Sequence, residues 1–223
     1  MSKINLLLTD ANDNLAEVKG MILRAVARIE EETLKDLAIT QGINVLVTNR
    51  APKMVIKEDG VGGFTYSSDF IFLAIAEKVA KEEFIFEMLS HELCHAKRLS
   101  VKPEYPKTLL ESIINEGLAT FYEAQITSHR QEKQFFIRSV SQRTQAENLK
   151  ILKYCSNYLN ETKYDDSVFF FSGNDHIPRW AGYSLGLEIV KEFLNAKKVA
   201  FLDALIMDYG PIVDFVKGEM AQK

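Results

Sequence analysis

The chain has 223 residues, 47% hydrophobic and 26% charged, which is the composition of an ordinary globular protein with a substantial core. Its formal net charge of −4 gives no reason to expect nucleic acid or an acidic membrane surface as a partner. Two cysteines, Cys94 and Cys155, argue against a disulfide framework and favour a reducing compartment. No apolar run approaches the roughly 20 residues of a membrane helix. We therefore expect a cytoplasmic protein with no membrane partner, and its oligomeric state stays open.

The first hundred residues alternate between helical and strand patterns. Apolar side chains recur at helical spacing over residues 14–37, which predicts one long amphipathic helix capped by Asp13 or Asn14. Runs rich in β-branched and aromatic residues predict strands, and the Asp-Gly and Gly-Gly pairs within 59–63 predict a turn. The strands are predicted over residues 1–9 (or an ordered tail), 43–48, 54–57 and 64–75.

The rest of the chain has mainly helical patterns. They cover residues 107–126, 131–160 in two pieces, 178–195, 200–207 and 211–220, with a polar and aromatic loop at 161–177. The fold class is therefore α+β, with a small mixed sheet and a mainly helical C-terminal half. We expect a single domain over residues 1–223, with an α/β lobe at 1–100 and a helical lobe at 101–223.

Residues 91–95 read His-Glu-Leu-Cys-His, and they lie in a stretch, 82–99, that has no Pro or Gly and many good helix formers. Residues four apart share one face of a helix, so the imidazoles of His91 and His95 can reach one cation. Glu92 lies about 100° round the helix, close enough to hold a water molecule at that cation. Two hydrogen-bonded core histidines are the alternative interpretation. The motif is more specific than a lone histidine, and it favours a metal site.

The same helix has a predicted apolar side and a predicted polar side. Leu89 and Leu93 belong to the side that would face a core. The side that would face water carries Glu83, Glu87, Ser90, Lys97 and Arg98.

A catalytic zinc site needs a third protein ligand, because such a site has three protein ligands and a water. Arg98 and Val101 stand where a metzincin would have Gly and His, so that class is excluded. Glu116, 21 residues after His95 on the next predicted helix, is the expected ligand. Its neighbour Gly117 would let this helix approach the motif helix closely. The alternatives are a surface role for Glu116, or ligation by Glu111 or Glu123, which lie on other faces.

Three stretches carry a resemblance to a known family: His91-Glu92-Leu93-Cys94-His95, Ile114-Asn115-Glu116-Gly117-Leu118-Ala119 and Pro178-Arg179-Trp180-Ala181-Gly182-Tyr183-Ser184-Leu185-Gly186. Over residues 60–195 the chain resembles the gluzincins, zinc metallopeptidases with an H-E-x-x-H motif and a later glutamate ligand. It looks more closely like the YjaZ-like family of predicted Zn-dependent proteases, a domain of unknown function. The resemblance implies a zincin-like fold and a Zn²⁺ ion held by His91, His95 and Glu116.

The resemblance also implies a zinc-dependent metallopeptidase that hydrolyses a peptide or protein substrate. A metal-activated water would attack the peptide bond, with Glu92 as the general base. Tyr183 and His176 are the candidates for stabilising the oxyanion, together with Arg179, although each could instead have a structural role. Thr120 departs from the thermolysin-like pattern, which has an aspartate there to orient the first histidine. We therefore expect weaker metal affinity or activity than in that group.

Two further interpretations concern the substrate and the rival functions. The segment 62–68 would flank the cleft and pair with an extended peptide, a mode called β-augmentation, unless it is an ordinary hairpin turn. The rival to a peptidase is a non-catalytic zinc-binding or protein-interaction domain descended from one. A helical binding module in which the histidines and glutamates merely pair is the remaining possibility.

Overall fold

Short runs of β-branched and aromatic residues form the four strands of one sheet, and helices make up most of the remaining chain. A computed structural model describes residues 4–11 and 13–220. These residues divide into two units: Met1–Pro103 with Gln125–Phe136, and Glu104–Ala124 with Ile137–Lys223. The α+β fold class with a small mixed sheet and a helical C-terminal half is confirmed. The expectation of a single domain stays a prediction.

The sheet of the first unit has the strand order β1-β2-β4-β3. Its strands are β1 (Ile4–Leu8), β2 (Ile43–Thr48), β3 (Val61–Ser67) and β4 (Phe70–Ile75). The strands β1, β2 and β4 are parallel, whereas β3 runs antiparallel to β4 and forms one edge of the sheet. Within the described residues the sheet is therefore mixed, and β4, the neighbour of its antiparallel edge strand, comes just before the motif helix in the chain.

Two predicted strands are wrong. Residues 54–57 form no strand, because Pro52–Met54 is a 3₁₀ turn and Ile56 makes only an isolated bridge with Val61. The single strand predicted over 64–75 is a β-hairpin instead. Its turn is closed by a hydrogen bond from Ser67 Oγ to Asp69 Oδ1 (2.7 Å), which the run of aromatic residues on either side conceals in the sequence.

The helices of the first unit are α1 (Lys19–Glu31), α2 (Thr33–Asp36) and α3 (Glu82–Val101). The helix predicted over 14–37 therefore begins later and is broken at Glu32. Its expected first turn is replaced by tighter turns, because the Leu15 backbone N–H donates to Asp10 Oδ1 (2.7 Å) and Asp13 has a left-handed backbone with φ of 54°. The predicted motif helix is confirmed.

The second unit is helical. The helices after the motif helix are α4 (Leu109–Thr127), α5 (Phe135–Ser141), α6 (Gln145–Cys155), α7 (Ala181–Lys197), α8 (Phe201–Ile206) and α9 (Gly210–Phe215), and π-helical turns occur at Ser167–Phe171 and Val216–Met220. The helix α6 begins with a capping box in which Thr144 and Glu147 satisfy each other's backbone N–H groups. No described helix combines the length and apolar composition needed to cross a membrane.

Candidate metal centre

The two histidines of the motif point at the same place. His91 and His95 lie one turn apart on α3, and their Nε2 atoms are 3.3 Å apart. Two nitrogen ligands at about 2.0–2.1 Å from one tetrahedral zinc ion are separated by about 3.3 Å. The measured separation therefore fits a shared zinc ion. The ring of Phe136 packs edge-on against His91, with 6.3 Å between ring centroids, and helps to fix that imidazole.

The polar side of α3 is not exposed as predicted. Glu87, Ser90 and Arg98 are buried. Ser90 Oγ lies 3.0 Å from Thr33 Oγ1, and Glu87 Oε2 accepts the backbone N–H of Gln134 (3.0 Å). The prediction failed because α3 is covered on more than one side, and its polar residues anchor neighbouring segments.

Glu92 is buried and held by strand β3. Thr65 Oγ1 lies 2.7 Å from Glu92 Oε2 and 2.8 Å from the Glu92 backbone oxygen, so its hydroxyl can donate to either. A Cβ atom added to Gly63 would lie 2.5 Å from Glu92 Cγ and 2.6 Å from Oε1. The carboxylate of Glu92, the candidate general base, therefore contacts the Thr65 hydroxyl and lies close to Gly63, where the strand has no room for a side chain. Sequence reasoning missed both residues.

Strand β3 presents backbone groups at the sheet edge. The Ile56 N–H donates to the Val61 oxygen (2.9 Å), so the carbonyl of Val61 points away from β4. Backbone direction alternates along a strand, which turns the N–H and C=O groups of Gly63 and Thr65 to the same edge. The side chains of Phe64 and Tyr66 are exposed. The segment 62–68 is thus an edge strand with a turn at its end.

Glu116 is half-buried on α4. One ligand atom each from His91, His95 and Glu116 lie within 4.8 Å of one another, a group that could hold a metal ion. Two imidazoles and a carboxylate form the ligand set of a catalytic zinc site that leaves a position open for water. The chemistry of these donors therefore fits zinc, and the role of each as a ligand stays a prediction. Of the other two glutamates considered, Glu111 accepts the backbone N–H of Lys107 (2.6 Å) at the start of α4.

The expected partner of Gly117 is wrong. A Cβ atom on Gly117 would lie 2.3 Å from the Gly186 carbonyl carbon on α7, and a Cβ on Gly186 would lie 2.1 Å from the oxygen of Ile113. The backbones of α4 and α7 are therefore in direct contact, one residue from Glu116. Gly117 therefore fixes the helix that carries Glu116 against α7.

The third matching stretch has a packing role. A Cβ on Gly182 would lie 2.4 Å from the Phe170 ring, and Ser184 Oγ accepts from Arg143 Nη1 (2.5 Å) and donates to Asn148 Oδ1 (3.1 Å). With Gly186 against α4, its small residues join α7 to the surrounding elements of the second unit. Packing therefore accounts for the small residues of this stretch.

The two predicted oxyanion donors lie in aromatic surroundings. Tyr183 is half-buried on α7, with its ring edge-on to Phe170 at 5.6 Å between centroids. His176 is exposed, and its ring stacks on Tyr154 at 5.4 Å. Arg179 is also exposed and lies 3.7 Å over the ring of Trp180. Their catalytic roles stay predictions.

Tyr164 is a further candidate for the oxyanion donor, and the sequence did not reveal it. Its hydroxyl lies 2.5 Å from Ser112 Oγ, one helical turn before Glu116 on α4. Burial raises the pKa of Tyr164, the hydrogen bond with Ser112 lowers it, and the negative charges of Asp166 and Glu116 raise it further. The phenol therefore keeps its proton near neutral pH and can donate a hydrogen bond.

Thr120 does not take the part of the missing aspartate. It is fully buried, and its Oγ1 makes no hydrogen bond with any described residue. A threonine hydroxyl could accept an imidazole N–H, but Thr120 Oγ1 accepts none from the described residues. The two cysteines form no disulfide and both are buried, and burial raises the pKa of the Cys155 thiol to about 12.

Comparison with known proteins identifies the family of the chain. A family model described as "Predicted Zn-dependent protease (DUF2268)" matches residues 23–214. The "Uncharacterized protein YjaZ" of Bacillus subtilis (strain 168) is 28% identical over 120 residues, which are 53% of this chain and 45% of that protein. No solved structure matched the chain. Because the family model covers most of the sequence, the chain belongs to the YjaZ-like family of predicted Zn-dependent proteases.

Proposed function

We propose that this protein is a gluzincin-type zinc metallopeptidase that hydrolyses peptide bonds. The observation that carries the proposal is the group of His91, His95 and Glu116, whose ligand atoms lie within 4.8 Å of one another. Glu92 belongs to the same motif and is held in place by Thr65. A purely structural zinc site has no use for an anchored base and is usually closed by a fourth protein ligand.

His91, His95 and Glu116 would hold the zinc ion. When bound there, zinc would supply Lewis-acid chemistry, making water a better nucleophile near neutral pH and polarising the scissile carbonyl. The Glu92 carboxylate would accept a proton from the attacking water and return it to the leaving amine as the C–N bond breaks. Burial of Glu92 keeps bulk water from competing for that proton.

A hydrogen-bond donor other than the metal would stabilise the developing oxyanion. Tyr183, His176 and Arg179 remain the candidates that the sequence suggested. Tyr164 joins them because of its hydrogen bond with Ser112, one turn before Glu116. Single Phe variants of the two tyrosines would rank them: the donor lowers kcat when its hydroxyl is removed, whereas a packing residue alters stability and leaves kcat near the wild-type value.

The substrate would be an extended peptide or protein segment that pairs with the outer edge of β3. The support for this is the edge position of β3 and the outward backbone groups of Gly63 and Thr65. N-methylation of a cleaved peptide, one residue at a time, tests the pairing without altering the enzyme. Methylation at alternate residues should raise KM, because only alternate N–H groups face the strand, and a uniform response would contradict pairing.

Peptide hydrolysis tests the proposed function. The zinc-loaded wild type is incubated with a mixed peptide library, with and without a chelator, beside Glu92→Gln as the blank. We expect cleavage that the chelator stops, that added zinc restores and that the Gln variant lacks. Cleavage that survives both the chelator and the Glu92→Gln substitution would point to a contaminating peptidase, whereas chelator-sensitive cleavage at the wild-type rate in Glu92→Gln would remove Glu92 from the mechanism. Stoichiometric zinc with no cleavage of any peptide would favour the non-catalytic zinc-binding domain.

The proposed compartment is the cytoplasm, in line with two buried cysteines that form no disulfide.

A further inference from the structure

We infer that Thr65 is a positioning residue whose hydroxyl holds the Glu92 carboxylate in place beside strand β3. This inference rests on the proposed function for its catalytic meaning. Its structural part, a hydroxyl that fixes the Glu92 side chain, can be tested without any substrate.

The geometry at Thr65 is specific to Glu92. Thr65 Oγ1 lies 2.7 Å from Oε2 and 2.8 Å from the backbone oxygen of the same glutamate, although the two residues are 27 positions apart in the chain. Both residues are buried, with 5% of each exposed. A threonine hydroxyl has one hydrogen to donate and two lone pairs to accept with. It therefore has two acceptors for its hydrogen, and both belong to Glu92.

This arrangement serves the ionised and the protonated carboxyl group equally. When Glu92 is ionised, the Thr65 hydroxyl donates to Oε2. When a proton has moved from water to Oε2, the carboxylic acid donates to Thr65 Oγ1, and the hydroxyl hydrogen turns to the Glu92 backbone oxygen. When the proton lies on Oε1 instead, Oε2 still accepts from Thr65. The same pair of atoms thus stays bonded throughout the transfer.

Gly63 lies close to the other oxygen of the carboxylate, Oε1. A Cβ on this residue would lie 2.6 Å from Oε1 and 2.8 Å from the carboxyl carbon, so the strand backbone itself is the neighbour of Glu92. The hydrogen bond from Thr65 and the close approach of the strand at Gly63 together favour one position of the Glu92 carboxylate. A base held this way loses less entropy when it takes part in the reaction.

Two variants of Thr65 and one control variant isolate the effect of the Thr65 hydroxyl on kcat. Thr65→Val keeps the shape of the side chain but cannot hydrogen-bond, and Thr65→Ser keeps the hydroxyl. Thr33→Val is the matched control, because Thr33 is also buried and bonds to α3, at Ser90 and not at Glu92. We expect Thr65→Val to lower kcat at least tenfold with KM within threefold of wild type. The Ser variant should recover kcat to within threefold, and Thr33→Val should leave it unchanged.

A double-mutant cycle gives a readout that needs no activity. Urea unfolding is measured for wild type, Thr65→Val, Glu92→Ala and the double variant, all without metal. A hydrogen bond between the two side chains makes the two changes non-additive, so the double variant loses less stability than the sum. If Thr65→Val does not fold, Thr65→Ala takes its place in both experiments.

The outcomes separate this inference from the proposed function. A tenfold loss in kcat that Ser restores, together with non-additive stabilities, supports the positioning role. Additive stabilities, or a Thr65→Val enzyme with wild-type kcat, would overturn it. If the wild type cleaves no peptide, the proposed function fails by itself, and the double-mutant cycle alone decides whether Thr65 fixes Glu92.

Discussion

Two glycines, one in each unit, have little space around them, but a side chain added at each would disturb a different kind of neighbour. A Cβ on Gly63 would meet side-chain atoms of Glu92 at 2.5–2.8 Å, whereas a Cβ on Gly117 would meet backbone atoms of Gly186 at 2.3–2.6 Å. A side chain can rotate away from an intruding methyl group, but two packed helix backbones must separate. The absence of a side chain at Gly63 therefore leaves room for the carboxylate of Glu92, the proposed general base, whereas its absence at Gly117 lets the helix that carries Glu116 pack against α7.

This difference separates loss of activity from loss of stability. Substitution at Gly63 should disturb chemistry in a protein that still folds. Substitution at Gly117 should weaken folding before it affects chemistry. Four predictions follow this contrast, from the change with the largest expected effect to the smallest.

Glu92→Gln sets the upper limit for an effect on chemistry alone. The amide keeps the shape of the side chain but cannot accept a proton from water, so kcat should fall by about 10²–10⁴-fold, the usual contribution of a general base. Steady-state kinetics on a cleaved peptide measures the loss. The zinc content should equal that of wild type, and a variant with wild-type kcat would remove Glu92 from the mechanism.

Gly117→Ala should show the largest effect on stability. The added methyl group forces α4 and α7 apart, and overpacking of this kind costs about 1–3 kcal/mol. The helix propensity of alanine offsets up to about 1 kcal/mol of that cost. Urea unfolding measures the net change in the free energy of unfolding.

Gly218→Ala is the matched control for this change. A Cβ at Gly218 would have no neighbour within 4 Å. This variant should be as stable as wild type or slightly more so. Equal effects of the two substitutions would show that the contact of Gly117 with Gly186 does not limit stability.

Gly63→Ala should lower activity more than stability, the reverse of what we expect for Gly117→Ala. The methyl group displaces the Glu92 carboxylate from its position beside Thr65, so we expect kcat to fall about tenfold, equivalent to about 1.4 kcal/mol in the activation barrier. The free energy of unfolding should change by less than in Gly117→Ala, because the neighbouring atoms belong to a side chain that can rotate. A variant that unfolds more readily than Gly117→Ala while keeping full activity would contradict the assigned roles of the two glycines.

Cys155 should have the smallest effect near neutral pH, where its thiol is protonated in both the folded and the unfolded chain, and it reports on packing in the second unit. Burial raises the pKa of its thiol from 9.0 to about 12. Above pH 9 the unfolded chain loses this proton while the folded chain keeps it, so the group's contribution to stability is present below pH 9 and is lost as pH rises towards 12. Thermal melting between pH 8 and pH 11 should show a steeper loss for wild type than for Cys155→Ala. Parallel curves would show that the thiol is not protected.

The residues that the sequence predicted well share a local cause. The spacing within His91-Glu92-Leu93-Cys94-His95 is a property of one helix, and the structure forms that helix as predicted. Glu116 was found by its distance along the chain and its apolar neighbours, and the same three residues form the group that could hold a metal ion. The motif helix is confirmed, whereas the role of each of the three residues as a metal ligand stays a prediction.

The features that the sequence did not predict depend mostly on contacts between residues far apart in the chain. The hydroxyl of Thr65 and the missing side chain of Gly63 matter only because β3 lies beside α3, which one sequence does not reveal. Glu87 was assigned to a solvated face because the residue that donates to it, Gln134, lies 47 residues further along the chain, beyond the reach of local sequence patterns. The hairpin was read as one strand because the short turn at residue 69 interrupts an otherwise continuous aromatic pattern.

Zinc content tests the central claim most directly. Wild type, Glu116→Ala and Glu111→Ala are purified identically without chelators, supplied with zinc, freed of excess metal and examined by elemental analysis. We expect about one zinc per chain in wild type and in Glu111→Ala, whose glutamate bonds to the start of α4, and a marked loss in Glu116→Ala. No zinc in the wild type, or full occupancy in Glu116→Ala, would contradict a site made by His91, His95 and Glu116.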